Sequence, residues 1–227
     1  MRVLAIALIC LVIGCRNKHT ADTTVAQAIE SHSSEKPVPP KASRDDYDTS
    51  RWIELTEAQG FALELRYADE SNFTGKQIYD CGRCFMQKDA GKRLIQLQRD
   101  IAKRYGWRLR LYDCYRPRPA QQRLWDIMPN ASYVTPPHKG SMHNRGLAID
   151  VTIDDKDGRP MDMGSDFDHF GKEAHIDIYD HTDEVLRNRR ILQKLMELHG
   201  FKGIRTEWWH YSLRGVSSEL SAWEWGC

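Results

Sequence analysis

With 227 residues, 41% of them hydrophobic and 29% charged, the chain is long enough for one domain with a real core. It is too polar to cross a membrane repeatedly. Lys plus Arg number 33 against 32 Asp plus Glu, a formal charge of +1, so the basic excess expected of a nucleic-acid binder is missing. The 15 Gly and 9 Pro exclude a collagen-like or Pro-rich chain, and there is no internal repeat.

Met1-Arg2 precedes an apolar run, Val3 to Ile13, that ends in Gly14-Cys15. As a helix this run reaches roughly 16 Å, against a hydrocarbon core of about 30 Å, so it reads as an export signal and not as a span. Leu11-Val12-Ile13-Gly14-Cys15 resembles a bacterial lipoprotein cleavage box, with a small residue for the peptidase and then a thiol to carry the lipid. The expected division is a signal peptide over 1–14, a lipid-anchored tether from Cys15 to residue 48 and a globular domain over 49–227. The tether is rich in Thr, Ser, Lys and Pro and has no apolar period; its His19 and His32 read as solvated. The expected location is the membrane surface facing the periplasm or the cell exterior. Cys81, Cys84, Cys114 and Cys227 then predict two disulfides, with three connectivities open. Cys81 and Cys84 also have the spacing of half a zinc knuckle, but no second pair follows.

In the body, Arg66-Tyr67-Ala68 reads as extended and Asn72-Phe73-Thr74-Gly75 as a turn. Asp89 is placed to cap a helix running to Tyr105, with Leu94, Leu97 and Ile101 on one face and Gly106 as its stop. Residues 107–113 alternate as a strand with one wet side. A helix follows Pro117 and Pro119 and ends at Pro129. Leu147 to Ile153 reads as a strand closed by a solvated acidic turn over 154–158, too short for an EF-hand. Thr182 caps a long helix to His199, and Glu207 to Ser212 forms the last strand. Helices and short strands without a βαβ rhythm give an α+β class.

The chemistry concentrates in Ser141-Met142-His143-Asn144-Arg145-Gly146-Leu147-Ala148-Ile149-Asp150 and Glu207-Trp208-Trp209-His210. His143 before a strand and Asp150 within it can fold back on one point, with Gly146 allowing the sharp turn. His210 brings a second imidazole. Two nitrogens and one oxygen leave a position open for water, the pattern of catalytic zinc. Glu207 is expected beside the metal water as base and then acid, although a regular strand would put it on the face opposite His210. Arg116, a candidate partner of Asp113 in Tyr112-Asp113-Cys114-Tyr115-Arg116-Pro117, suits the negative charge that develops on an amide carbonyl oxygen. Singly, each residue has an ordinary reading: a polar loop histidine, a strand-edge carboxylate, surface neighbours of core tryptophans, a salt-bridging arginine. The combination carries the inference. His169, His175 and His181 are rival ligands that complete no better-spaced set, and His199 reads as structural.

This Ser-x-His-x(6)-Asp … Glu-x-x-His pattern resembles the zinc D-Ala-D-Ala peptidase family, and within it the dipeptidase branch. Tyr67 with Asn72–Gly75, Asp113–Pro117, Met161-Asp162-Met163-Gly164 and Phe167-Asp168-x-Phe170 fall in the branch's order, so the resemblance covers roughly 50–227. It implies a small mixed, largely antiparallel sheet flanked by helices, and one zinc per chain on His143, Asp150 and His210. Glu207 is implied as the general base and acid, with Arg116 stabilising the tetrahedral intermediate. Tyr67, Ser141, Asp168 and Asp113 are implied to form the substrate site, Asp168 meeting the free ammonium of a dipeptide. The implied substrate is free D-Ala-D-Ala or a related peptidoglycan-derived peptide. The alternatives are a D,D-carboxypeptidase acting on stem peptides and a wall-binding lipoprotein that holds zinc without catalysis. Cys114 departs from the small residue usual in the branch. Export places such an enzyme near peptidoglycan turnover, which favours dipeptide salvage over antibiotic resistance.

Overall fold

The computed structural model describes residues 47–227. The expected leader, Cys15 and nearly all of the tether lie outside the described residues.

The elements are β1 (Trp52–Leu55), β2 (Ala62–Leu63), β3 (Cys84–Gln87), α1 (Lys88–Tyr105), β4 (Arg108–Asp113), α2 (Arg118–Ile127), β5 (Ala148–Asp154), α3 (Asp183–Leu198), β6 (Phe201–Ile204) and β7 (Glu207–Leu213). β1 and β3 form an antiparallel pair, and the main sheet runs β2-β4-β5-β7-β6. Only its β2–β4 pair is parallel. The fold is therefore α+β, with a mixed, mostly antiparallel sheet and flanking helices. β5, at the centre, is buried along its whole length.

α1 buries Ala90, Leu94, Leu97 and Ile101 at helical spacing and packs against β1, β3 and β4. A Cβ at Gly91 would lie 2.1 Å from Ile53 Cγ2, so the helix meets β1 at a distance only glycine permits. Gln98 is buried on the same face, and its side-chain oxygen accepts from Leu109 N at 2.6 Å, tying α1 to β4. Thr182 caps α3 by accepting from Val185 N.

Several local expectations change. Arg66–Ala68 is a 3-10 turn, because the Tyr67 carbonyl accepts from both Ile78 N and Tyr79 N and the chain curls to present it. The cap of α1 is Gln87, with Asp89 two residues on in the first turn, where its charge still favours the helix N-terminus. The far half of β4, Leu111 to Asp113, is buried on both faces. Asp154 opens the acidic turn but is fully buried, held by Arg108 Nε and Arg110 Nε at 2.7 Å each.

The disulfides are Cys84–Cys114 and Cys81–Cys227, so neither thiol of the half-knuckle spacing is available to a metal. The second anchors the C-terminal segment, where Tyr115 OH donates to the Trp223 carbonyl and Ser221 N to the Asn144 carbonyl at 3.0 Å. Cys81–Cys227 closes a loop of 146 residues. Cys227→Ser is expected to lower the unfolding free energy by about 2–4 kcal/mol, read as a lower denaturant midpoint.

Candidate metal centre and substrate cavity

The sheet register builds the centre. Asp113 on β4 pairs across to Asp150 on β5, and Asp150 pairs across to His210 on β7. Three adjacent strands thus set two carboxylates and an imidazole in one row. His143 arrives from a 3-10 turn just before β5, which Gly146 ends at φ +68°. A Cβ on Gly146 would lie 2.3 Å from Trp52 Cζ3, so conformation and packing both require glycine there.

His143 Nε2, Asp150 Oδ1 and His210 Nδ1 converge. They lie 3.1 Å apart between the two rings, 3.0 Å from His210 to Asp150 and 3.3 Å from His143 to Asp150. Ligand bonds of about 2.0–2.1 Å in a tetrahedron require donors roughly 3.3 Å apart, so the triangle fits zinc with a fourth position open. The imidazoles are oriented from behind. His143 Nδ1 donates to the Cys114 carbonyl at 2.8 Å, which leaves Nε2 as the lone-pair nitrogen, and His210 Nε2 lies 3.1 Å from Ser212 Oγ. Cys114 therefore serves the site through its backbone while its sulfur is held in the disulfide to Cys84.

Burial alone would raise the Asp150 carboxyl, but the charges and hydrogen bonds of His143 and His210 hold it below the usual carboxylate range. Such a carboxylate is ready to bind a cation. Among the described residues, these three form the one His/Cys/Asp/Glu cluster able to hold a metal. His169 instead meets Glu173 at 3.1 Å, His181 the Glu173 carbonyl at 3.0 Å and His175 the Arg205 guanidinium at 3.1 Å. His199 bridges the Leu195 carbonyl and Asp100.

Glu207 Oε2 lies 3.8 Å from His210 Nδ1. The alternation problem is resolved by an irregularity in the β6–β7 hairpin: Ile204 pairs with Glu207, yet Gly203 pairs with Tyr211. The extra residues on β7 turn Glu207 toward the face of His210. Burial raises the Glu207 carboxyl, the pull of His210 opposes this, and the charge of Asp150 adds to the rise.

Arg116 is buried, giving Nε and Nη2 to Asp113 Oδ2 at 3.1 and 2.7 Å and Nη1 to Gln121 Oε1 at 3.0 Å. These bonds use three of the five N–H groups of the guanidinium, and Tyr79 meets it as well. Tyr79 OH donates to Asp113 Oδ1 at 2.5 Å, and Asn144 Nδ2 to the Arg116 carbonyl at 2.8 Å. Asn144 Oδ1 accepts from Ser141 N and Oγ. Tyr79, Gln121 and Asn144 were not singled out by sequence. Asn144 lies inside the Ser141–Asp150 motif and was the one with a signal.

A cavity of about 330 Å³ opens over the triad. Tyr67, Ser141, Arg116, Asp168 and Glu207 all line it, whereas Asp113, expected among the substrate-binding residues, does not and instead holds Arg116 from behind. Tyr67 OH donates to Asp168 Oδ2 at 2.7 Å. Asp168 has φ +58°, a conformation that aspartate tolerates better than most residues, and burial raises its carboxyl well above the ordinary value.

The family model described as D-ala-D-ala dipeptidase matches residues 54–221. The chain belongs to this family. Among relatives of the D-Ala-D-Ala dipeptidase family, the D-alanyl-D-alanine dipeptidase of Escherichia coli K12 is 39% identical over 172 residues, covering 75% of this chain and 89% of that protein. The D-alanyl-D-alanine dipeptidase of Enterococcus faecalis V583 is 31% identical over 175 residues, covering 68% and 86%. A solved zinc-bound D,D-pentapeptidase of vancomycin resistance is similar at 20% identity over 58% of this chain and 74% of its own, with a TM-score of 0.37. Family membership and the metal-binding triad together make the chain a zinc-dependent peptidase.

Proposed function

We propose that the chain hydrolyses free D-Ala-D-Ala to two D-alanines, with His143, Asp150 and His210 holding one zinc. The observation that carries this reading is the convergence of the three donors beneath a cavity that also holds Glu207, Arg116 and Asp168. Zinc at these donors supplies a water of lowered pKa and polarises the scissile carbonyl. Glu207 accepts the proton of the attacking water at a carboxylate oxygen. It returns that proton to the amine nitrogen as the C–N bond breaks. The Arg116 guanidinium, on the cavity wall, stabilises the charge that develops on the carbonyl oxygen in the tetrahedral intermediate. Asp113 fixes the guanidinium, and the pair keeps either charge from being buried alone.

Asp168, carried on the cavity wall with Tyr67, accepts the ammonium of the dipeptide, and Ser141 lines the cavity beside the metal ligands. The ammonium offsets the burial that raises the Asp168 carboxyl, so binding favours its ionised form. Asp168→Asn is expected to lower kcat/KM for the free dipeptide by about 10–100-fold, mostly through KM, measured by steady-state alanine release.

Export and lipid attachment at Cys15 belong to the same proposal. Support comes from the apolar leader ending in Gly14-Cys15 and from the two disulfides, which suit an oxidising compartment. In that setting dipeptide salvage is the natural role. The deciding experiment compares alanine release from free D-Ala-D-Ala and its N-acetylated form by the zinc-loaded enzyme. Cleavage of the free form alone is expected. Comparable cleavage of the acetylated form would replace the dipeptidase reading with a D,D-carboxypeptidase.

A further inference from the structure

A second cavity, of about 380 Å³, adjoins the catalytic one. Tyr133, Phe170 and Glu207 line both. The Tyr133 and Phe170 rings lie 4.6 Å apart by centroid, and Phe73 closes edge-on against Phe170 at 4.9 Å. These rings stand between two spaces of similar size, and Glu207 borders both. Phe170 is two residues from Asp168, so the expected ammonium acceptor and this aromatic wall sit on one stretch of chain. An amine bound at Asp168 and carrying a substituent would direct that substituent toward Phe170.

The far cavity joins mostly apolar walls to a few polar tips. Ser132, His169, Lys172, His175 and Thr206 line it with hydroxyls, imidazoles and an ammonium, and Glu207 at the shared border is its only carboxylate. The acids close by are already engaged, Glu173 by His169 at 3.1 Å and Asp177 by Arg205 at 3.6 Å. The space therefore suits a short apolar linker whose terminal carboxylate reaches the Lys172 ammonium.

We propose that Tyr133 and Phe170 form a partition that confines the enzyme to dipeptides, and that the cavity behind it is a latent subsite for an acyl or peptidyl extension carrying a carboxylate. This rests on the dipeptidase reading above. The partition acts by exclusion: the two rings stand where an extension from Asp168 would pass toward the second cavity, and removing one ring joins the two spaces.

The test measures kcat/KM of the zinc-loaded wild type and of Phe170→Ala on free, N-acetyl and N-succinyl D-Ala-D-Ala. The wild type should cleave only the free form. Phe170→Ala should gain about tenfold or more on the blocked forms, a size typical of steric discrimination, and should favour succinyl over acetyl. Adding Lys172→Ala should remove the succinyl preference and leave the acetyl rate in place. Phe170→Ala that cleaves the free dipeptide with no gain on either blocked form overturns the partition. Should that variant be inactive on all three, Tyr133→Ala is read by the same criteria, and no gain there overturns it equally. Wild-type activity on the free dipeptide decides the dipeptidase reading, whereas the change from wild type to variant decides the partition, so the two failures are distinct.

Discussion

Glu207→Gln is expected to bind zinc as the wild type does and to lose about a thousandfold in kcat on D-Ala-D-Ala, within the range for removing a positioned acid–base group. The substitution keeps the shape of the side chain and leaves all three metal donors in place, since Glu207 approaches His210 Nδ1 only to 3.8 Å. What it removes is a carboxylate able to take a proton from water and pass it to the leaving amine. The β6–β7 irregularity that aims Glu207 is backbone geometry and should persist. Metal content by atomic emission and single-turnover rates separate the two effects. A variant that loses metal along with rate would make Glu207 part of the metal site; unchanged turnover would remove it from the chemistry.

His210→Ala is expected to lose the metal itself, and activity with it. His210 supplies one corner of the donor triangle, and its loss leaves Asp150 with His143 alone in a buried setting. Ser212→Ala offers a graded comparison, because Ser212 Oγ touches only the outer nitrogen of His210. Loss of an outer partner costs about 10–100-fold in metal affinity, so His210→Ala should weaken zinc binding well beyond that. Competition with a chromogenic chelator orders the variants. Equal affinity in His210→Ala and wild type would exclude His210 as a ligand.

Much of this site was legible in sequence because its donors sit at fixed places in regular elements. His143 before a glycine turn and Asp150 on a strand are seven residues apart, and the strand carrying His210 follows a long helix that Thr182 caps. The α+β class followed from the same periodicities. What sequence hid was tertiary. Asp113, Asp150 and His210 share one row only because β4, β5 and β7 are neighbours in a particular register, and no local pattern encodes that register. The Glu207 orientation contradicts simple alternation and depends on how β6 pairs with β7. Arg66–Ala68 has the composition of an extended segment but curls, because contacts from Ile78 and Tyr79 close on Tyr67. Tyr79 and Gln121 reach the Asp113–Arg116 network from other segments, and nothing beside them in the sequence announces it.

The Arg116–Asp113 pair shows the same division. Three residues apart, the two were readable as partners, and their hydrogen bonds confirm the pairing. Their burial was not readable, nor was the aromatic setting in which the guanidinium lies 5.2 Å over the Tyr67 ring. Burial works against the charge of the guanidinium, and the carboxylate of Asp113 keeps it protonated.

The most direct measurement of the central claim is a zinc titration of the chelator-stripped enzyme, with D-alanine release from free D-Ala-D-Ala followed at each addition. One metal held by His143, Asp150 and His210 predicts negligible activity without zinc and a linear rise that breaks at one equivalent per chain. Full activity in the stripped protein, or a break at two equivalents, would contradict a single-zinc dipeptidase.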